Sequence, residues 1–168
     1  MDVLEAIRQR HTVRKYKKEP IHRQDMEKLL EAARLAPSGM NLQPWELVVI
    51  TKADQRFLLM EACNNQPFVA DAGAVFCGID DPKAKWAKVD LALAMEHIVL
   101  EATELGLGSC YIGSFSEKKV KELLGIPSDR HVVMLLTVGV PDEKPGPAPK
   151  KPAKKLVHWE KYGGSSHH

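Results

Sequence analysis

The segment from Lys85 to Leu105 constrains the fold of this chain most. Leu91, Met95, Ile98, Ala102 and Leu105 recur in steps of four and three, while Ala92, Leu93, Val99 and Leu100 fill the neighbouring faces. Polar side chains are confined mainly to Asp90, His97, Glu101 and Glu104. A helix that is apolar round most of its circumference has to run between layers or along a subunit boundary. A lone histidine such as His97 in that setting reads as solvated or internally satisfied rather than as a ligand.

The remaining pattern supplies the layers. Met1 to Arg10 reads as a short helix with Asp2 at its favourable N-terminal end, and Asp25 caps a second helix that carries Met26, Leu29, Leu30 and Ala33 up to Ala36. A strand follows over Glu46–Thr51, then a helix from Asp54 to about Cys63, broken by Asn64-Asn65-Gln66-Pro67. Gly73–Ile79 reads as a buried strand, Ser109–Ile112 as a short one, and His131–Val140 as a nearly continuous apolar central strand. Ser116 and Gly125 start and stop the helix between the last two. This order suits a three-layer α+β or α/β sandwich with few strands and long helices. After Val140, five prolines and Lys150, Lys151, Lys154 and Lys155 make an extended arm with nothing of its own to fold on.

Composition narrows the function. A chain of 168 residues with 44% hydrophobic and 27% charged residues is one domain with room for a core. A net charge of +2 gives no bulk attraction to nucleic acid. No apolar run approaches the ~18–20 residues of a membrane helix. Cys63, Cys77 and Cys110 are odd in number and far apart, which fits neither a disulfide framework nor a metal site and points to a reducing cytoplasm. The tail 163–168 reads as a linker and the start of a purification tag, leaving 1–162 as the single domain.

Chemistry concentrates in a few places. Pro37-Ser38-Gly39-Met40-Asn41-Leu42-Gln43-Pro44-Trp45 joins a helix to a strand, stiffened by a proline at each end. Alone it is an ordinary connection with polar groups to spare. Arg10, His11, Thr12 and Arg14 form one basic cluster, and Lys150 and Lys151 another. Arginine, a hydroxyl and a distant lysine are what a terminal phosphate wants; taken singly, each cluster is also ordinary solvated charge. No P-loop is present, and Leu105-Gly106-Leu107-Gly108 lacks the strand-then-helix setting of a dinucleotide fingerprint. Nucleophile elbows and metal motifs are missing as well. Phosphate-binding groups without catalytic side chains suggest an organic cofactor that carries the reaction.

Taken in order, the motifs carry a resemblance. Arg10-His11-Thr12-Val13-Arg14-Lys15-Tyr16, the Pro37–Trp45 loop, Leu105–Ser109 with Tyr111-Ile112-Gly113 and Leu124–Pro127, and Pro149–Pro152 with Leu156–Trp159 together resemble the FMN-dependent nitroreductase family, from Met1 to about Tyr162. The resemblance implies an α+β, three-layer α-β-α sandwich with a mostly antiparallel central sheet and a long central helix, completed in a homodimer with FMN at the subunit interface. It implies that Arg10 and Lys150 bind the FMN phosphate, with Lys151 as backup and His11 and Thr12 at phosphate or ribityl. Arg14 would approach flavin N1 and O2. Pro37, Ser38, Gly39 and Asn41 would reach the flavin of the partner subunit. The Gly113 amide, beside Ile112, would sit at N5, with Gln66 at the ring edge. No protein side chain would be catalytic.

The activity implied is ping-pong hydride transfer from NADH or NADPH to flavin N5 and on to a nitroaromatic, quinone or related small-molecule acceptor. Dehalogenation, flavin breakdown and dehydrogenation on the same fold, or a non-catalytic flavin-binding module, are the alternatives; neither a nucleic acid nor a membrane partner is implied. Two departures stand out. Ala148 occupies a position where many relatives have another cation, and the segment before Asp90 is short where larger relatives insert helical material, which leaves the pocket more open.

Overall fold

Seven consecutive buried residues, Ala74–Asp80, make the strand on which the fold is built. Such a run requires cover on both faces, and the alternation of its side chains shows what supplies it. Ala74 and Phe76 point to one core with Leu29, Ala33, Leu91, Met95 and Ile98. Val75, Cys77 and Ile79 point to the other, with Leu59, Ala62, Val69, Val120 and Ile126. The computed structural model describes residues 1–165; Ser166, His167 and His168, within the tail read as linker and tag, lie outside the described residues.

The elements in order are α1 (Val3–Gln9), α2 (Arg23–Arg34), β1 (Trp45–Ile50), α3 (Ala53–Ala62), α4 (Pro67–Asp71), β2 (Ala74–Asp80), α5 (Ala87–Glu104), β3 (Gly108–Ile112), α6 (Glu117–Leu124) and β4 (His131–Gly139). The sheet runs β1-β2-β4-β3 with every neighbouring pair antiparallel. Helices α2 and α5 cover one face and α3, α4 and α6 the other. This is the expected three-layer α+β sandwich, resolved in favour of an antiparallel sheet.

Several boundaries follow from identifiable local chemistry. The Asp2 side chain caps α1 by accepting the Glu5 amide at 2.8 Å. Ser116 caps α6, and Gly125 ends it in the left-handed region at φ 65°. Asp25 and Asp54, read as caps, instead lie in the first turns of α2 and α3, where a carboxylate still favours the helix through its dipole. The caps are His22 and Lys52, neither with a side-chain hydrogen bond. Asn64 and Asn65, both at φ 56°, turn the chain after α3, and Pro67 opens α4, a short helix the pattern did not reveal, because proline suits the first helical position.

Helix α5 buries Ala87, Asp90, Leu91, Ala94, Met95, Ile98, Val99 and Ala102 along one side. The chain leaves Trp86, Val89 and Leu93 exposed on the other. His97 is satisfied, with Nδ1 3.0 Å from the Ala32 carbonyl oxygen. Among the described residues, no helix is long and apolar enough to cross a membrane. The arm beyond Pro141 is exposed throughout residues 147–162, including a short helical turn, Ala153–Lys155.

Candidate functional site

The segment between α1 and α2 lies along the open edge of the sheet. Thr12 forms a parallel bridge to Ser109 of β3, and Tyr16 an antiparallel one to Pro141. The Val13 amide donates to the Ser109 carbonyl at 2.9 Å, and the Lys17 amide to Val140 at 2.9 Å. Val13 and Tyr16 turn into the core, while Thr12 and Arg14 stay exposed. A buried network pins this segment: the Tyr16 hydroxyl donates to the Val13 carbonyl at 2.8 Å and pairs with Thr137 Oγ1 at 2.9 Å, and Thr137 donates to the Cys110 carbonyl at 3.2 Å. The glycine at 108 is a packing requirement. A Cβ there would sit 2.7–2.9 Å from Val13 side-chain atoms, so only glycine lets β3 approach this closely.

With that segment fixed, the two basic clusters meet. Arg10, His11 and Thr12 line a cavity of about 410 Å³ together with Ile7, Arg8, Pro145, Gly146, Pro147, Ala148 and Lys150. Arg10 and Lys150, 140 positions apart in the chain, thus share one cavity wall with a threonine hydroxyl. Arg8 lies in the same basic run but was not singled out by the sequence motifs. Ala148 lines the cavity without adding charge. Lys151 is exposed on the arm and is not among the lining residues.

Arg14, two residues beyond Thr12, is exposed and is not among the residues lining this cavity. Its amide donates to the Glu143 carboxylate. Burial pushes the Cys110 thiol above its ordinary value, and the adjacent Arg14 guanidinium pulls it back. Tyr111, on the opposite face of β3, donates to Glu96 at 3.2 Å; burial first, then the Glu96 carboxylate, raise its pKa, and Arg10 lowers it.

A second group forms at the far end of β3. Ile112 is buried and Gly113 follows it, exposed and with nothing within 4 Å of where a Cβ would be. Gln66 Nε2 donates to the Cys63 carbonyl at 2.9 Å and to the Ser114 carbonyl at 3.4 Å, which holds it against this turn. Asn64 Nδ2 donates to Ser114 Oγ at 2.7 Å and braces the turn further. The four residues from Ser109, where Thr12 bridges, to Gly113 span about 13 Å of strand. A ligand that touches both groups has to be long, with an anion at one end and an amide acceptor at the other.

Pro37, Ser38, Gly39 and Asn41 form a third group and are not among the residues lining the Arg10 cavity. Ser38 Oγ accepts the Gln43 amide at 3.0 Å, and Gln43 Nε2 donates to the Asn41 carbonyl at 2.9 Å, so the loop folds over itself. The Gly39 amide donates to Asp90 Oδ1 at 3.1 Å. Among the described residues, no group of three or more acidic, histidine or cysteine side chains could hold a metal ion.

Comparisons with known proteins bear on the family and the fold. The model of the nitroreductase family matches residues 7–77 and 56–140. An NADPH-flavin oxidoreductase of Vibrio harveyi is 30% identical over 180 residues, covering 96% of this chain and 75% of its own. An NADH dehydrogenase of Thermus thermophilus is 26% identical over 197 residues, covering 95% and 96%. The solved structure of an FMN-dependent nitroreductase from Clostridium difficile superposes with a TM-score of 0.86 at 28% identity, covering 94% of this chain and 99% of that one.

Proposed function

The chain belongs to the nitroreductase family, and from that premise we propose that it is an FMN-dependent NAD(P)H oxidoreductase acting as a homodimer of 1–162 domains. The observation that carries the reading is the meeting of Arg10, Thr12 and Lys150 around one cavity at the head of β3, with the open Gly113 amide at its other end. Those residues fit FMN: cations and a hydroxyl for the phosphate, a strand-length gap for the ribityl chain, and an unobstructed amide for the ring.

Bound FMN supplies the redox chemistry, accepting a hydride at N5 from NADH or NADPH and passing electron pairs to a second substrate. The protein's part is to bind and polarise. Arg10 and Lys150 neutralise the phosphate, with Lys151 in reserve, and His11 and Thr12 hold the phosphate and ribityl hydroxyls. Arg14 sets a fixed positive charge at the pyrimidine edge, where negative charge grows on reduction. The Gly113 amide, backed by Ile112, donates toward the reacting edge, and Gln66 stays close to it through the Ser114 turn. Pro37, Ser38, Gly39 and Asn41 close the ring from the partner subunit. Exposed Val3, Leu4, Ile7, Trp86 and Val89 give such a dimer an apolar surface to cover.

Reductant and acceptor occupy the same space in turn, which gives ping-pong kinetics, with a nitroaromatic, a quinone or a related small molecule as acceptor. Three free cysteines fit a reducing cytoplasm. FMN titration of the purified protein tests the reading. Arg10→Ala with Lys150→Ala should weaken binding by about a hundredfold or more, since each removes a charge-assisted contact of about 1.5–3 kcal/mol. Undiminished affinity in the double variant, or a colourless wild type that binds no added FMN, would end it.

A further inference from the structure

Asp90 carries a carboxylate in the first turn of α5 with only 4% of the residue exposed, and its Oδ1 accepts the Gly39 amide at 3.1 Å. One turn earlier, Trp86 Cδ1 would stand 3.3 Å from a Cβ on the same glycine. The start of α5 therefore grips Gly39 by a hydrogen bond and by contact with an aromatic ring. The loop it grips is folded by its own bonds, from the Asn41 amide to the Ser38 carbonyl at 3.0 Å and from the Leu42 amide to the Gly39 carbonyl at 3.1 Å, but bonds inside a loop do not fix its place against the helices. Met40, Asn41 and Gln43 occupy the left-handed region at φ 50°, 56° and 50°, which asparagine tolerates but methionine and glutamine adopt at a cost that their surroundings must offset. The bonds from Gln43 to Ser38 and Asn41 lie within the loop and would move with it. At the strand end, the Asp81 amide donates to Pro44 at 3.1 Å. At the helix end the tie is Asp90.

We propose that Asp90 is a positioning residue of the FMN site, which fixes Ser38, Gly39 and Asn41 in the conformation that meets the flavin by anchoring the Gly39 amide to α5. This rests on the loop being one wall of that site. A carboxylate suits the task because it accepts from an amide more strongly than a neutral group and needs partners when buried. The cost of burying it is met at a loop that has to be held, which is where a device for order rather than for bulk stability belongs.

FMN titration and amide hydrogen exchange of wild type, Asp90→Asn and Asp90→Ala test the role. Asp90→Ala should weaken FMN binding about tenfold and speed exchange at Gly39 and Asn41. Asp90→Asn keeps a neutral acceptor in place and should stay within about threefold of wild type on both readouts. A lower melting temperature with unchanged FMN affinity overturns the proposal, as does an asparagine variant as defective as alanine. Should the alanine variant not fold, Asp90→Ser, whose hydroxyl is too short to reach the Gly39 amide, takes its place: weaker FMN binding with faster Gly39 exchange supports the anchor, and wild-type values on both overturn it. Wild type that binds no FMN removes the proposed function and this role together; normal wild-type binding with an unaffected Asp90→Ala removes this role alone.

Discussion

Tyr16→Phe isolates the network that fixes the basic segment. The ring is 5% exposed and Thr137 fully buried, and the variant deletes one hydroxyl that donates to Val13 at 2.8 Å and pairs with Thr137 at 2.9 Å. Two hydroxyls carry two protons for three contacts, so with Thr137 donating to Cys110 the variant removes one proton and leaves the buried Val13 carbonyl without its donor. One unsatisfied buried acceptor costs about 2 kcal/mol, the phenyl ring still filling the space. For a chain of this size that lowers the melting temperature by about 4–8 °C. Thermal unfolding by circular dichroism reads it, and Thr137→Val closes a double-mutant cycle with a coupling of about 1 kcal/mol. A Tyr16→Phe variant that melts within about 1 °C of wild type, or a cycle with no coupling, would refute the account of how Thr12 and Arg14 are held.

Other substitutions probe different links. Gly108→Ala places a methyl 2.7–2.9 Å from Val13 Cβ and both γ-carbons and should destabilise by about 1–3 kcal/mol in chemical denaturation; Val13→Ala in the same chain keeps the Cβ at 2.8 Å and should not restore wild-type stability. Gly125→Ala forces a side chain into the left-handed cap of α6 at φ 65° and should cost about 1 kcal/mol by the same measurement. Burial raises the Cys63 thiol to about 11 and the Cys77 thiol to about 12, against an ordinary value of 9.0. Unfolded thiols ionise first, so their contribution is intact below pH 9 and is lost as pH rises through 11 to 12. Melting temperature against pH should therefore fall less steeply above pH 9 in Cys63→Ala with Cys77→Ala than in wild type; parallel curves would contradict it.

Much of the architecture was legible because it depends on near neighbours in the chain. Apolar runs gave β2 and β4, the four-three spacing gave α5, and the Ser116 and Gly125 pair bounded α6. The misreadings share one cause. Asp25 and Asp54 favour any position in a first helical turn, so residue type does not separate the cap from the turn it begins. Pro67, read with Asn64-Asn65-Gln66 as a break, also has the fixed φ that starts a helix.

The candidate site divides in the same way. The sequence by itself determined which groups are available: Arg10, Thr12, Lys150, the Pro37–Trp45 loop and the Ile112-Gly113 turn, each recognisable from its own few residues. That Arg10 and Lys150 line one cavity was decided only by the tertiary structure, because no local interaction relates positions 140 apart; the sheet edge does, through Thr12 on Ser109 and Tyr16 on Pro141. The same holds for Asp90. In the sequence it is one polar residue on an apolar helix, with exposure as the default. In the fold, α5 runs past the loop, and that carboxylate is buried because the Gly39 amide lies against it.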